Sequence, residues 1–292
     1  MDSGRSVNQS YDALYRLSSA VTTGSTNYPK WGLSWTYDRY GNRTAQSISS
    51  GCQAPMVCPT NSVTIDAGTN RITDAPYAYD ANGNMTNDGA NSLTYDAENR
   101  AVTSASGGTT STYTYDGNSL RVKKQVGSGT VTVYIFSGTK VIAEYAAGAS
   151  PNSPMKEYIY SGPALLATIS GTTTTYHHAD HLSVRLTTDA NGANPSGQGH
   201  FPFGEQWYPA GAPATKWQFT SYERDGGTGE SGNDYAMMRY HVNRLGRFSS
   251  PDPLAGTIGE PQSLNRYAYT LNDPANLIDP LGLDSEIGRA HV

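Results

Sequence analysis

The dipeptide Tyr-Asp recurs at Tyr11-Asp12, Tyr37-Asp38, Tyr79-Asp80, Tyr95-Asp96 and Tyr115-Asp116. A repeat this short makes the first part of the chain an array of small units, each too small to bury its own apolar face. Three copies are close (37–43, 79–85, 95–100) and two are looser (11–16, 115–121). Thr-Tyr before the aspartate suits a strand. Asp, Asn and Gly then supply the side-chain-to-backbone bonds and positive φ values of a tight turn. Residues 120–126 alternate apolar and polar as a return strand would. The unit is therefore expected to be a β-hairpin.

The spacing is uneven: 42 residues separate Tyr37 from Tyr79, then 16 and 20 separate the next two pairs. The long interval, about 44–76, reads as a loop insertion holding Cys52 and Cys58. A second repeat follows, in which Tyr134–Gly138 returns as Tyr158–Gly162, each leading into a strand-like run, with a loop at 148–154. Beyond about 172 the repetition stops and Trp, His and Pro appear. Three units are thus expected: a hairpin array over 1–172, a second block over 173–283, and a tail over 284–292. A short helix of one or two turns is expected after Ser263.

Composition agrees with an all-β chain. Of 292 residues, 36% are hydrophobic and 15% charged, with 31 Gly and 21 Tyr. That bias favours strands and turns. Short, scattered apolar runs predict a sheet with one packed and one wet face rather than one thick core. The net charge of -5 and the lack of a basic stripe give no footprint for nucleic acid. No run approaches the roughly 18–20 apolar residues of a membrane span, and Met1–Arg5 has no apolar signal region.

Several residues invite chemistry. Cys52 and Cys58 lack the second ligand pair of a structural zinc site, which leaves two loop thiols or, in an exported chain, a local disulfide. His177, His178, Asp180 and His181 look like metal ligands, but their neighbours read as strand and turn. Ser221 and His241 suggest a triad without any nucleophile elbow. No cofactor and no metal are expected. Asp252-Pro253 and Asp279-Pro280 offer two carboxylates, and Asp273-Pro274 a third. Turn formation alone explains such pairs.

The ordered series changes that reading. Tyr-Asp repeats over 11–125 precede a block at 176–283. The block contains Tyr176–Leu182, Phe201–Gly204, Phe219–Asp225, Arg239-Tyr240, Leu245–Pro253, Asn265–Tyr269 and Asp279–Leu283. The chain resembles the RHS/YD-repeat family, specifically the end of its shell and its RHS repeat-associated core. The resemblance implies an all-β ribbon of hairpins that spirals into a hollow shell around a C-terminal toxin, in a secreted or cell-surface bacterial protein. It also implies an intramolecular aspartic protease. Its carboxylates would be Asp252 and Asp279, its supporting arginine Arg239, and its cut between Leu283 and Asp284. The implied partners are the toxin, the upstream shell repeats and secretion machinery. A one-place shift of the glycine after Asp252, a longer stretch between the aspartates, and a Gly-rich insertion at 225–233 depart from the family pattern.

Residues 284–292 are too short to be a toxin. Glu286–Val292 also matches the translation of a sequencing adapter, so the tail is expected to be non-native or truncated. The alternative is a non-catalytic surface protein whose repeats bind glycans or neighbouring cells.

Overall fold

In a computed structural model of the protein, each Tyr-Asp element closes a hairpin through its carboxylate. Asp96 is representative. Its Oδ1 accepts the amide N–H of Glu98 and of Arg100, both at 3.0 Å, and its Oδ2 accepts Arg100 Nε at 2.8 Å. Asn99 sits between them at φ 61°, a conformation Asn tolerates well. The same pair of amide bonds recurs at Asp12, Asp38 and Asp116. Asp80 keeps the second amide bond and adds the Asn84 side chain.

The tyrosine links one hairpin to the one before. Tyr37 Oη donates to the Leu17 carbonyl at 2.6 Å, Tyr95 to Met85 at 3.0 Å and Tyr115 to Ala101 at 2.7 Å. Each acceptor opens the return strand of the preceding hairpin. Arginine reaches the other way. Arg16 and Arg100 donate to the carbonyls of Asp38 and Asp116 at 2.9 and 3.3 Å, and lie 4.7 and 5.1 Å from the centres of the Tyr37 and Tyr115 rings. Asp thus builds the turn, while Tyr and Arg stitch neighbouring turns together.

The structure describes residues 4–54, 56–180, 182–209, 213–254, 256–283 and 286–287. Strands follow one another in sequence order and pair antiparallel. Five form a sheet from Val7–Tyr11 to Asn61–Ser62, and thirteen form a second from Ala78–Tyr79 to Ser196–Gly197. The large sheet runs unbroken past residue 173, so the change in sequence texture there does not coincide with a sheet edge. Beyond it lie a two-stranded sheet (Gly199–His200 with Gln206–Tyr208) and a four-stranded one. The latter comprises Glu223–Arg224, Asp234–Ala236, Arg239–Val242 and Arg247–Phe248.

Alternation decides which face is wet. In Thr109–Tyr115, Ser111 and Tyr113 are buried while Thr110, Thr112 and Thr114 are exposed. The buried faces meet residues 199–248 in separate clusters rather than one core. Leu17, Trp31 and Trp35 pack with Phe201, Phe203 and Trp207. Leu93 and Tyr113 pack with Tyr235 and Tyr240. Tyr134 and Tyr158 receive Trp217. Residues 199–248 are therefore a footing on which both sheets stand.

Two local expectations differ from what is found. The interval 44–76 opens with the strand Arg43–Ser50, paired along Gly32–Tyr37, because buried Gln46 accepts Trp35 Nε1 at 2.6 Å and anchors that face. The irregular part begins only after it, with Cys52 and Cys58 joined as a disulfide. Among the described residues after Ser263 there is no α-helix. Pro261–Leu264 and Thr270–Asn272 are separate 3-10 turns, since Thr270, Leu271 and Asn272 hold φ values of 44°, 53° and 65°.

Candidate carboxylate site

Arg239 opens the strand Arg239–Val242, reached from Asp234–Ala236 by a tight turn in which Met237 has φ 59°. That turn aims a buried guanidinium at three other segments. Arg239 Nη2 lies 2.7 Å from Asp252 Oδ2 and 3.4 Å from Asp279 Oδ2. Nη1 donates to the Arg266 carbonyl at 3.0 Å, and Nε donates to the Gly282 carbonyl. The Phe248 ring centre is 3.7 Å away. Only a planar, forked cation serves four acceptors in this way.

Each carboxylate has its own supports. Asp252 N–H donates to the Arg266 carbonyl, and Asp252 Oδ1 accepts the Leu254 N–H, both at 2.8 Å. Asp279 Oδ1 accepts the Leu283 N–H at 2.9 Å, and the Asp279 carbonyl accepts the Tyr222 hydroxyl. The segment 279–283 is pressed onto the Ala236–Arg239 turn. Met238 N–H donates to the Leu281 carbonyl at 3.1 Å. Gly282 has φ 72°, and a Cβ there would meet the Ala236 carbonyl oxygen at 2.7 Å, so glycine is required. A cleft of about 80 Å³ opens at this point, lined by Arg239, Asp252, Arg266, Thr270, Asp279 and Leu283 among others.

The two carboxylates are electrostatically unequal. Burial pushes the Asp279 carboxyl up to about 6; Arg239 opposes this and Asp252 adds to it. Asp252 makes the shorter contact to Arg239 and keeps more solvent access, 14% against 3% for the Asp279 side chain. Two carboxylates on one guanidinium nitrogen form a coupled pair that shares its proton. Burial makes Asp279 the carboxyl that keeps its proton to higher pH than an ordinary aspartate.

The structure thus brings Arg239, Asp252, Asp279 and Leu283 together; Asp284 lies outside the described residues. Asp273 is a turn former, its carboxylate accepting Asn276 Nδ2 at 2.9 and 3.0 Å. His177 and His178 bond to Thr168 and Thr188 on neighbouring strands, and His181 lies outside the described residues. No cluster of metal-ligating residues occurs among the described residues. His241 is enclosed by Phe219, Phe248 and Tyr269, its nearest acid Asp234 at 3.7 Å.

One charged cluster had no counterpart in the sequence reading. Arg121, fully buried, lies 2.9 Å from Glu223 and 3.1 Å from Asp225, and Lys124 lies 2.9 Å from Asp225. Tyr113 donates to Asp225 at 2.8 Å and Tyr134 to Glu223 at 2.8 Å. Burial would raise both acids, but the cations outweigh it and hold Glu223 and Asp225 below the usual carboxylate range. The only local hint is the charged run Tyr222–Asp225; its partners lie about a hundred residues away.

These features define an antiparallel hairpin wall standing on a small β block that carries a carboxylate pair. The crystal structure of TcdB2-TccC3-Cdc42 has this fold, with TM-score 0.74 and 21% identity over 95% of this chain and 15% of that one. So does the Photorhabdus luminescens Tc holotoxin pore with a TccC3 mutation, at TM-score 0.72 and 22% identity over 97% of this chain and 16% of that one. In sequence the chain is similar to tRNA3(Ser)-specific nuclease WapA of Bacillus spizizenii and to tRNA nuclease WapA of Bacillus subtilis strain 168. Each is 31% identical over 265 residues. The match takes in 86% of this chain but 11% of either relative, so the chain spans about a tenth of their length. No protein-family model matches the chain.

Proposed function

We propose that this chain is the closing segment of an RHS-type toxin shell and that it cuts its own backbone between Leu283 and Asp284. The observation that carries this reading is the shared Arg239 nitrogen between Asp252 and Asp279, with Asp279 also bonded to the Leu283 amide. Asp252 takes a proton from a water molecule, whose oxygen attacks the Leu283 carbonyl carbon. Asp279 gives its proton to that carbonyl oxygen. When the tetrahedral adduct collapses, the C–N bond breaks, the Asp284 nitrogen leaves as an amine with the proton Asp252 acquired, and the hydroxyl formed from the Leu283 carbonyl returns its proton to Asp279 as C=O re-forms. The aspartates return to a singly protonated pair.

The similarity to WapA and to the TccC3-containing structures supports the shell role, with upstream repeats and a C-terminal toxin as partners. Among the described residues no helix is long and apolar enough to cross a membrane. The Cys52–Cys58 disulfide favours an exported protein. The test is a reporter domain fused after Asp284 on the complete upstream shell. Cleavage at Leu283 that Asp252→Asn or Asp279→Asn abolishes is the expected result. An uncut reporter in the unsubstituted protein refutes the proposal.

A further inference from the structure

We infer that Tyr222 and Tyr269 are positioning residues that hold the main chain of Asp279 from both sides and so set where its carboxylate meets Arg239. This rests on the cleavage reading above. Both tyrosines are buried, at 3% and 0% exposure. Tyr222 donates its hydroxyl to the Asp279 carbonyl, and the Asp279 backbone amide faces the Tyr269 hydroxyl. Thr220 lies between the two phenols: its Oγ1 is 3.5 Å from Tyr269 Oη, and its side chain faces the Tyr222 hydroxyl.

Asp279 needs such a clamp for a covalent reason. The next residue is Pro280, which has no N–H to give. The nearest downstream anchors are the Leu281 carbonyl on Met238 and the Gly282 carbonyl on Arg239. Upstream of these, the pairing of Ile278 with Glu286 and the two peptide groups of Asp279 locate its Cα, and a buried tyrosine faces each of those groups. The clamp is held in a strained way. Thr220 and Ser221 sit at φ 48° and 65°, where β-branched threonine is an outlier. The rings continue the same wall, since Tyr269 packs 5.9 Å from Phe248, the ring beneath Arg239. Arginine and aspartate are thus located by one aromatic layer. With Asp279 already 3.4 Å from Nη2, a small main-chain shift uncouples it.

The experiment measures self-cleavage of the complete protein, reporter attached, from pH 4 to 8. Tyr222→Phe and Tyr269→Phe keep the rings and remove the hydroxyls. Tyr267→Phe is the control, because Tyr267 is equally buried in the same block but donates to the Gly83 carbonyl at 2.8 Å, away from Asp279. Each of the first two should slow cleavage by about tenfold to a hundredfold, with the alkaline limb of the profile moved to lower pH as water reaches Asp279. Tyr267→Phe should cut with the unaltered rate and profile. Thr220→Val, which removes the linking hydroxyl, repeats the test if a Phe variant fails to fold. Normal cutting by folded Tyr222→Phe and Tyr269→Phe overturns the inference while leaving the cleavage reading intact, as does equal slowing by Tyr267→Phe. An uncut parent protein defeats both.

Discussion

Replacing Asp279 by asparagine should abolish cleavage and, above pH 6, make the folded chain more stable. The folded carboxyl sits at about 6, against an ordinary 3.8, because burial disfavours its charge. Between those values the folded state keeps a proton that the unfolded state has released. The unfolded state then binds fewer protons, so stability falls as pH rises from about 4 to about 6 and stays low beyond. Two units at about 1.4 kcal/mol each put the cost near 3 kcal/mol at pH 8. Asparagine never ionises and can still accept the Leu283 N–H, but its amide faces Arg239 less well, which returns about 1 kcal/mol. The net gain is about 2 kcal/mol at pH 8, reaching zero at pH ~4.5 and turning into a loss of about 1 kcal/mol at lower pH. Urea unfolding of both chains at the two pH values reads this directly, with each chain ended at Leu283 so that parent and variant carry the same terminus and no bond is left to cut. An asparagine variant less stable than its parent at pH 8, or a difference that ignores pH, refutes the reasoning.

Arg239→Lys keeps a charge but cannot serve the Arg266 and Gly282 carbonyls and both aspartates together. It should end cleavage and lower stability by about 3 kcal/mol, seen as a fall in the urea midpoint. Gly282→Ala forces a Cβ to 2.7 Å from the Ala236 carbonyl at φ 72°. It should cost about 2 kcal/mol in a thermal melt and slow cutting on a gel time course. Asp96→Ala frees the Glu98 and Arg100 amides. These two should exchange with deuterium faster while stability drops by about 2 kcal/mol, since a capping carboxylate is lost.

Local chemistry was legible in the sequence and long-range chemistry was not. The turn at Asp96 is written within five residues, because Oδ1 reaches only amides two and four positions on. Alternation in Thr109–Tyr115 likewise announces its own wet face. The convergence of Arg239, Asp252 and Asp279 could be anticipated only by resemblance, since nothing in the sequence between positions 239 and 279 dictates it. Arg121 shows the limit. An arginine in an alternating strand reads as solvated, and only folding reveals Glu223 and Asp225 over it. Tyr222 and Tyr269 were hidden for a related reason: a buried tyrosine looks the same in sequence whether its hydroxyl binds a neighbouring hairpin or a candidate catalytic segment. The strand Arg43–Ser50 was overlooked because its anchor, Gln46, is a polar residue on a buried face.

The Arg121 cluster has a consequence for assembly. Ribbons built from near-identical hairpins can be set down one unit out of place at little local penalty, because every turn closes by itself. Here the wall presents Arg121 and Lys124 inward at one position, and the footing presents Glu223, Asp225 and Glu230 to meet them. A slip by a single hairpin would part buried Arg121 from buried Asp225, costing several kcal/mol, although Glu223 keeps Lys216. The cluster therefore acts as a combination lock: repeats supply the length of the wall, and this set of charges, together with Arg244 on Asp88 and Lys216 on Glu144, decides which hairpin closes over the footing.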